Sequence, residues 1–280
     1  MGRVEQRMYR RKQKRAKRVR LLLLIVLLAG AGLLLSGMNG SDGFLAQRLT
    51  SSTPDPLNSD FDKTVQTRDV MLPEESWYAI QTGVFSSEEA ALQKADTYAS
   101  RGAPGTVIRS GEKWRVFIAC YGSESDAMAV RERIAEHQRV ETYLYTWTCP
   151  ELHLRMSGLA GQLDMAEAGL TLLQSTASQL RDTATLLDAG QLTPQDAVAV
   201  IDDVDSRMRL WADTTASRFS KPYPALIAGL LAQSDAWQGR STELHQAAAS
   251  ATNLSAAMKT HGMHMYQAMI SLRAAIDQGT

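Results

Sequence analysis

Two stretches repeat one pattern: Trp77-Tyr78-Ala79-Ile80-Gln81-Thr82-Gly83-Val84-Phe85 and Trp114-Arg115-Val116-Phe117-Ile118-Ala119-Cys120-Tyr121. In both, apolar side chains alternate with others, which is the two-residue period of a half-buried strand. Each stretch is followed by a serine placed three residues before an acid, Ser86 before Glu89 and Ser123 before Asp126, the spacing of a helix cap. A strand–helix unit this short cannot bury its apolar face alone, so the two copies are predicted to form one small domain.

The region from residue 76 to residue 149 predicts the element order β-α-β-β-α-β. Strands are expected at 77–85, 106–110, 113–121 and 140–147, and helices at 88–100 and 126–137. Such a series closes into a four-stranded antiparallel sheet, in strand order 4-1-3-2, with both helices on one face. The other sheet face is predicted to be open for a ligand.

The two stretches resemble the SPOR (sporulation-related repeat) domain. Residues 77–85 are similar to its opening strand, aromatic-x-Val-Gln-Val-Gly-Ser-Phe, and residues 114–121 to its third strand, Tyr-Arg-Val-x-Val-Gly-Pro-Phe. Thr82, Val84 and Ala119-Cys120 depart from these patterns. The resemblance covers about a quarter of the chain and implies an α+β, ferredoxin-like or RNP-like fold. It also implies binding to peptidoglycan glycan strands without stem peptides, in cell division or sporulation.

A polysaccharide site is predicted on the open sheet face. If Ile80, Val116 and Leu144 face the helices, the alternation places these side chains on the open face: Gln81, Gly83, Arg115, Phe117, Tyr143, Tyr145 and Trp147. Aromatic rings cover the apolar faces of sugars, while an amide and a guanidinium bond their hydroxyls and carboxylates. The alternative is that the aromatic residues only cap a small sheet.

The N-terminal residues predict a membrane anchor. Residues 1–20 carry ten Lys or Arg against one Glu, and residues 21–38 carry no charge. An uncharged run of this length just crosses ~30 Å of hydrocarbon, and the basic side stays in the cytoplasm. We therefore expect a cytoplasmic tail, a single transmembrane helix in the bacterial cell membrane and extracytoplasmic domains. A cleaved signal peptide is the alternative, because Ala29-Gly30-Ala31 has the form of a cleavage site.

Two further regions complete the predicted domain organisation. Residues 39–75 are rich in Ser, Thr, Asp and Pro without a sustained period, which indicates a flexible linker. Residues 150–280 carry heptad patterns, the first from Met156 to Leu187, and Thr193-Pro194 begins a second helix. This region is predicted to be an all-α bundle of three or four helices, or a coiled coil completed by another chain. Its Ala-rich seam suits a protein partner or self-association.

The sequence predicts neither nucleic-acid binding nor a metal site. Residues 76–148 hold eight basic and nine acidic residues, and 113–121 lacks the RRM pattern, so we expect no nucleic acid. Copper could be bound by a group of thioether and imidazole side chains, Met258, His261, Met263, His264 and Met265. Met at heptad positions more often fills a core, so no metal or cofactor is predicted.

The chain carries no recognised hydrolase motif, and a non-enzymatic protein is expected. A cell-wall hydrolase acting through the helical region and an envelope scaffold or signalling protein without glycan binding remain as alternatives.

Cys120 and Cys149 are the two cysteines of the chain. If the third strand runs parallel to the first and the fourth antiparallel, the two thiols fall at opposite ends of the sheet, beyond the ~7 Å that a disulfide allows between Cα atoms. Free or intermolecular thiols are therefore expected rather than an internal bridge.

Overall fold

The computed structural model describes residues 64–138, 140–249 and 253–279. The predicted basic tail (1–20), the predicted transmembrane segment (21–38) and residues 39–63 of the predicted linker lie outside the described residues. Within the described part of the chain, no helix has both the length and the low polarity needed to cross a membrane. The strands and helices all belong to one unit of the chain, Asp62–Thr280.

Four strands form the predicted antiparallel sheet. They are β2 (Glu75–Phe85), β3 (Thr106–Ser110), β4 (Lys113–Tyr121) and β5 (Tyr143–Cys149), in the spatial order β3-β4-β2-β5. Helices α1 (Glu88–Ala99) and α2 (Glu124–Gln138) follow β2 and β4 and pack on one sheet face, around Ile80 and Val116. The predicted element order and strand order are confirmed.

The helix caps agree with the sequence at one of two positions. Ser123 accepts a hydrogen bond from the amide of Asp126, as its spacing predicts. The cap of α1 is Ser87, whose hydroxyl accepts from the amide of Ala90, and not the predicted Ser86. The two adjacent serines made the sequence ambiguous by one residue.

A two-stranded ribbon, β1 (Val65–Leu72) with β6 (Leu152–Leu159), corrects two predicted boundaries. β1 falls in the predicted flexible linker (39–75), and β6 falls in the predicted helical region (150–280) and contains Met156, the first residue of the predicted helix seam. The strands pair antiparallel along their whole length, and their buried side chains Val70, Leu72, Leu152 and Leu154 lie against the helices. Each strand is stable only beside the other, about ninety residues away, so neither one was recognisable alone.

Four helices follow β6, as α3 (Ala160–Asp188), α4 (Pro194–Arg218), α5 (Ala225–Ala249) and α6 (Leu254–Gly279). Thr193 and Asp196 exchange hydrogen bonds at the start of α4, with Pro194 at its first position, as the sequence predicts. Heptad side chains form the core of this bundle: Leu163, Leu170, Leu173, Leu180, Ile201, Val204, Ile227, Leu230, Leu244, Met258 and Met265. Helix α3 packs against the other three helices, and α6 packs against α3, α5 and the sheet, so α6 is buried on more than one side.

The orientation of β4 corrects the argument about the cysteines. β4 runs antiparallel to β2, not parallel, and Cys120 lies opposite Ala79 while Cys149 lies opposite Glu75. Both thiols are therefore near the start of β2, but on strands to either side of it. Strands two apart are separated by ~9.5 Å, which is too far for a disulfide. Both cysteines are free and buried.

Arg273 on α6 joins the helices to the two chain segments that connect the ribbon with the sheet. Its Nη1 donates to the carbonyl of Pro73, between β1 and β2, at 3.0 Å and to the carbonyl of Pro150, between β5 and β6, at 2.7 Å. Its Nη2 donates to Gln174 on α3 at 3.2 Å. One buried guanidinium thus fixes both connections.

We expect Arg273→Ala to lower the free energy of unfolding by about 2 kcal/mol, because a buried guanidinium and its three part-buried hydrogen bonds are lost. Urea unfolding would measure this loss. Arg155→Ala is the control, since Arg155 is 78% exposed and lies 3.9 Å from Asp69, and it should cost less than about 0.5 kcal/mol. Equal effects of the two substitutions would contradict the assigned role of Arg273.

His261 lies buried where α6 packs against α5. Its Nε2 is 3.1 Å from Glu243, and its Nδ1 has no hydrogen-bond partner among the described residues. Burial, with His264 and Arg240 nearby, lowers the pKa of His261 to about 4. The imidazole is therefore neutral at pH 7, and its contact with Glu243 is not an ion pair at that pH.

The protein should lose stability between pH 6.5 and about pH 4. In this window unfolded His261 binds a proton and the folded side chain does not, so the free energy of unfolding falls as the pH falls. His261→Gln should remove roughly 1–3 kcal/mol of that decrease in urea unfolding compared at pH 7 and pH 4.5. His153→Gln, at an exposed site, should leave the decrease unchanged. An unaltered pH dependence in His261→Gln would refute the assignment.

Candidate functional site

Six of the seven predicted site residues share the sheet face opposite α1 and α2. Gln81 pairs with Phe117 on β4 and with Tyr143 on β5. Ala79 pairs with Tyr145, and Trp77 pairs with Trp147. Arg115 pairs with Val84 on the same face. The reverse face carries Ile80, Val116 and Leu144 among the residues packed with α1 and α2. The predicted alternation is therefore correct for these six: Gln81, Arg115, Phe117, Tyr143, Tyr145 and Trp147.

Gly83 is the exception. The pairing of β2 with β4 shifts between Gln81 and Gly83, so Thr82 is an extra residue and Gly83 pairs with Val116. A Cβ atom on Gly83 would lie 2.7 Å from the ring of Phe85, which packs on the α1 and α2 side. A β-bulge changes the two-residue phase of a strand, which the sequence pattern does not reveal. Val84 takes the place predicted for Gly83.

Arg115 is the polar centre of this face. Its Nη1 donates to the Gln81 amide oxygen at 2.7 Å, and its guanidinium carbon lies 4.7 Å from the centre of the Tyr145 ring. Its Nε is buried and makes no hydrogen bond within the described residues. The amide and the ring hold the guanidinium in place, and one of its donors remains unused.

An aromatic strip runs from Arg115 along the face, and its members are Tyr145, Phe117, Trp147 and Trp77. Phe117 lies 5.5 Å from Tyr145 and 5.7 Å from Trp147, as measured between ring centres. Neighbouring Tyr143 is 52% exposed and Tyr145 is half-buried, whereas Phe117, Trp147 and Trp77 are at most 6% exposed. Only the end of the strip near Arg115 is accessible to solvent.

Helix α6 covers the buried end of the aromatic strip with Tyr266. The Tyr266 ring stacks on Trp77, with ring centres 4.1 Å apart, and meets Trp147 edge-on at 5.4 Å. Its hydroxyl lies 2.6 Å from the Glu75 carbonyl and 2.9 Å from the Trp147 carbonyl, and it accepts a hydrogen bond from the amide of Cys149. Burial raises the pKa of Tyr266, so its hydroxyl remains a donor.

Helix α3 completes this cover. The Arg181 guanidinium lies 4.5 Å from the centre of the Trp77 ring. The Glu75 carboxylate accepts hydrogen bonds from the Trp77 indole at 2.7 Å, from Gln174 at 3.0 Å and from Ser178 at 3.2 Å. The expectation that this whole sheet face is open is therefore wrong, because Tyr266 on α6 and Arg181 on α3 lie over its aromatic side chains.

Sequence reasoning missed Trp77 and Tyr266 as residues of this face. The alternation that selected Gln81 also places Trp77 and Ala79 on the same side, so Trp77 could have been found. Tyr266 lies next to heptad position Met265, so a second large ring beside the heptad seam was the available signal for a second contact surface.

Two histidine-containing groups lie elsewhere. The residues considered for copper fill the core or bond neighbours: Met258, Met263 and Met265 are buried, His261 contacts Glu243, and His264 bonds the backbone of Val107. Asp202, Asp205 and His245 place three possible ligand atoms within 4.8 Å of one another, which their separation in sequence did not reveal. Asp205 also accepts from Trp237 and Ser241, so this group joins α4 to α5.

Comparison with known proteins agrees with this sheet. Residues 75–145 match the family model of the SPOR domain, which confirms the resemblance seen in the sequence. Among solved structures, a match is found with the peptidoglycan-binding domain of the Bacillus subtilis cell wall lytic enzyme CwlC, at 19% identity. It covers 26% of this chain and 91% of that chain, with a TM-score of 0.23. No curated protein matches the chain.

Proposed function

We propose that this protein is a single-pass bacterial membrane protein that binds peptidoglycan glycan strands lacking stem peptides. The binding surface is the sheet face centred on Arg115, and the role is in cell division or sporulation. The protein is not an enzyme in this proposal. The match of residues 75–145 to the SPOR domain supports the ligand class, and the uncharged segment 21–38 behind a basic tail supports the anchor.

The grouping of Arg115, Gln81 and Tyr145 is the observation that carries this proposal. The guanidinium is held in place by Gln81 and is half-exposed, and a guanidinium suits a sugar hydroxyl or a lactyl carboxylate. The half-buried Tyr145 ring and the exposed Tyr143 ring offer flat surfaces to the apolar faces of sugar rings. A glycan strand can reach this end of the face without any movement of the helices.

We expect the double variant Gln81→Ala/Arg115→Ala to bind amidase-treated sacculi roughly 10- to 100-fold more weakly than the unaltered protein. Loss of a hydrogen bond to a charged group costs about 1.5–3 kcal/mol, which corresponds to that range. Co-sedimentation would measure binding, and near-ultraviolet circular dichroism would show that the fold is retained.

Arg109→Ala is the matched control for this test. Arg109 is an exposed arginine of the same sheet, and it lies over the Trp114 ring on the α1 and α2 side. This variant loses the same charge and should bind normally. Unchanged binding of the double variant, or an equal loss in Arg109→Ala, would contradict the assigned site.

An envelope scaffold without glycan binding is a second candidate function. The cover that Tyr266 and Arg181 place on the aromatic strip favours it, because a permanently buried face would serve only internal packing. A cell-wall hydrolase acting through the helices is a third candidate, and zymography with the purified protein would reveal it.

Localisation should separate the first two functions. A fluorescent fusion of the full chain should form bands at division septa or around developing spores, because glycan without stem peptides is the proposed ligand. The bands should be lost in Arg115→Ala and kept in Arg109→Ala. A uniform envelope signal from the unaltered protein would favour the scaffold, and a soluble signal would contradict the anchor.

A further inference from the structure

We propose that the C-terminal helices inhibit glycan binding by occupying half of the binding face, and that the full face opens when the helical part rotates about two adjacent connections at Pro73 and Pro150. This inference rests on the proposed function and adds its regulation. In the closed state only the end near Arg115 is available, and in the open state the whole aromatic strip is available.

The chain path divides the described unit into two parts that can move relative to each other. The sheet part contains β2 to β5 with α1 and α2, and the helical part contains the β1–β6 ribbon with α3 to α6. The chain crosses between them only between β1 and β2 and between β5 and β6, and each crossing contains a proline. Because β2 pairs with β5 and β1 pairs with β6, the two crossings are neighbours. Such paired connections form a hinge.

The covered half of the face has the same chemistry as the exposed half. Phe117 joins Tyr145 at the exposed end to Trp147 at the covered end, within 6 Å at each step. Tyr266 stacks flat on Trp77 at 4.1 Å, which is the arrangement in which an aromatic ring also receives the apolar face of a sugar. We therefore infer that Tyr266 competes with the glycan strand for the Trp77 ring.

The contact between the two parts combines the stacked rings of Trp77 and Tyr266 with several hydrogen bonds, whereas the core of the bundle is mainly aliphatic. Thr260 on α6 bonds Thr106 on β3 through hydroxyl oxygens 3.0 Å apart, and His264 bonds the Val107 backbone. Glu75 accepts from Gln174 and Ser178 on α3. Water can replace these bonds on separation, as it does in contacts between domains that move. The Leu and Ile core of the bundle can remain intact.

In this proposal, Arg273 stabilises the closed state. It lies beside the hinge and donates to the carbonyls of both crossings, at Pro73 and Pro150. A protein that is mostly closed binds its ligand more weakly, in proportion to the open fraction. A glycan strand that occupies the whole strip favours the open state, because it binds only that state at full length.

A reversible disulfide between α6 and the sheet tests this inference in the full-length protein. Thr106→Cys/Thr260→Cys replaces two hydroxyls whose oxygens are 3.0 Å apart, which is close enough for a bridge after a small adjustment. The oxidised variant should bind amidase-treated sacculi roughly tenfold or more weakly than its reduced form. Reduction should restore binding.

Ser76→Cys/Thr148→Cys is the matched control. Its hydroxyl oxygens are also 3.0 Å apart, and the bridge would join β2 to β5 within the sheet part. Oxidation of this variant should leave binding unchanged. Equal binding by the oxidised and reduced forms of Thr106→Cys/Thr260→Cys would overturn the inference, because the helices would then have no need to move.

The native thiols report opening independently of binding. Cys120 and Cys149 lie beneath the helices with no exposed surface, and burial raises the pKa of Cys149 to about 11 and that of Cys120 to about 12. A maleimide should therefore label them only in the open state, faster when glycan strands from amidase-treated sacculi are added, and more slowly in the oxidised Thr106→Cys/Thr260→Cys variant.

The two measurements separate the possible failures. If no form of the protein sediments with sacculi, the proposed function is wrong, and thiol labelling still decides whether the helices open. If labelling is as slow in the unaltered protein as in the bridged variant, the closed state is permanent and inhibition by a movable part is refuted. If glycan binds without accelerating labelling, the exposed end alone is the site and the inference fails.

Discussion

The placement of Tyr266 between the rings of Trp77 and Trp147 is the interaction on which the arrangement of the whole chain depends. It buries the centre of α6 against the sheet and ties its hydroxyl to the backbone of β2 and β5. Because α6 also packs against α3 and α5, this contact holds the helices over the sheet. The bundle thereby covers part of the sheet face that α1 and α2 leave uncovered.

Local structure followed closely from the sequence wherever the relevant contacts are short-range. Strands β3 and β4 have the predicted bounds, because alternation and a tight turn at Gly111 define a hairpin within a few residues. The sequence of strand β1 indicates a linker, because its pairing partner is the distant β6 and its burial comes from distant helices. Periodicity in the sequence indicates which side of a segment is buried, but not which part of the protein covers that side.

The same limit explains which residues of the site can be predicted from the sequence and which cannot. Alternation placed Arg115, Phe117 and Tyr145 on one face correctly, since each strand segment keeps its phase. Gly83 was misplaced by a single extra residue at Thr82, which depends on how β2 and β4 pair. The cover by Tyr266 was also beyond sequence reasoning, because the heptad pattern of α6 is explained equally well by a bundle that stands apart from the sheet.

The route of the chain through Pro73 also determines how the protein carries tension. Every residue before β1 is attached to the sheet through β1 and Pro73, whose carbonyl accepts from Arg273. If the N-terminal side is held in a membrane and the sheet is held by the wall, a pull between them runs along β1 and acts across that hydrogen bond. Separation of membrane and wall would then strain the contact that keeps the helices in place.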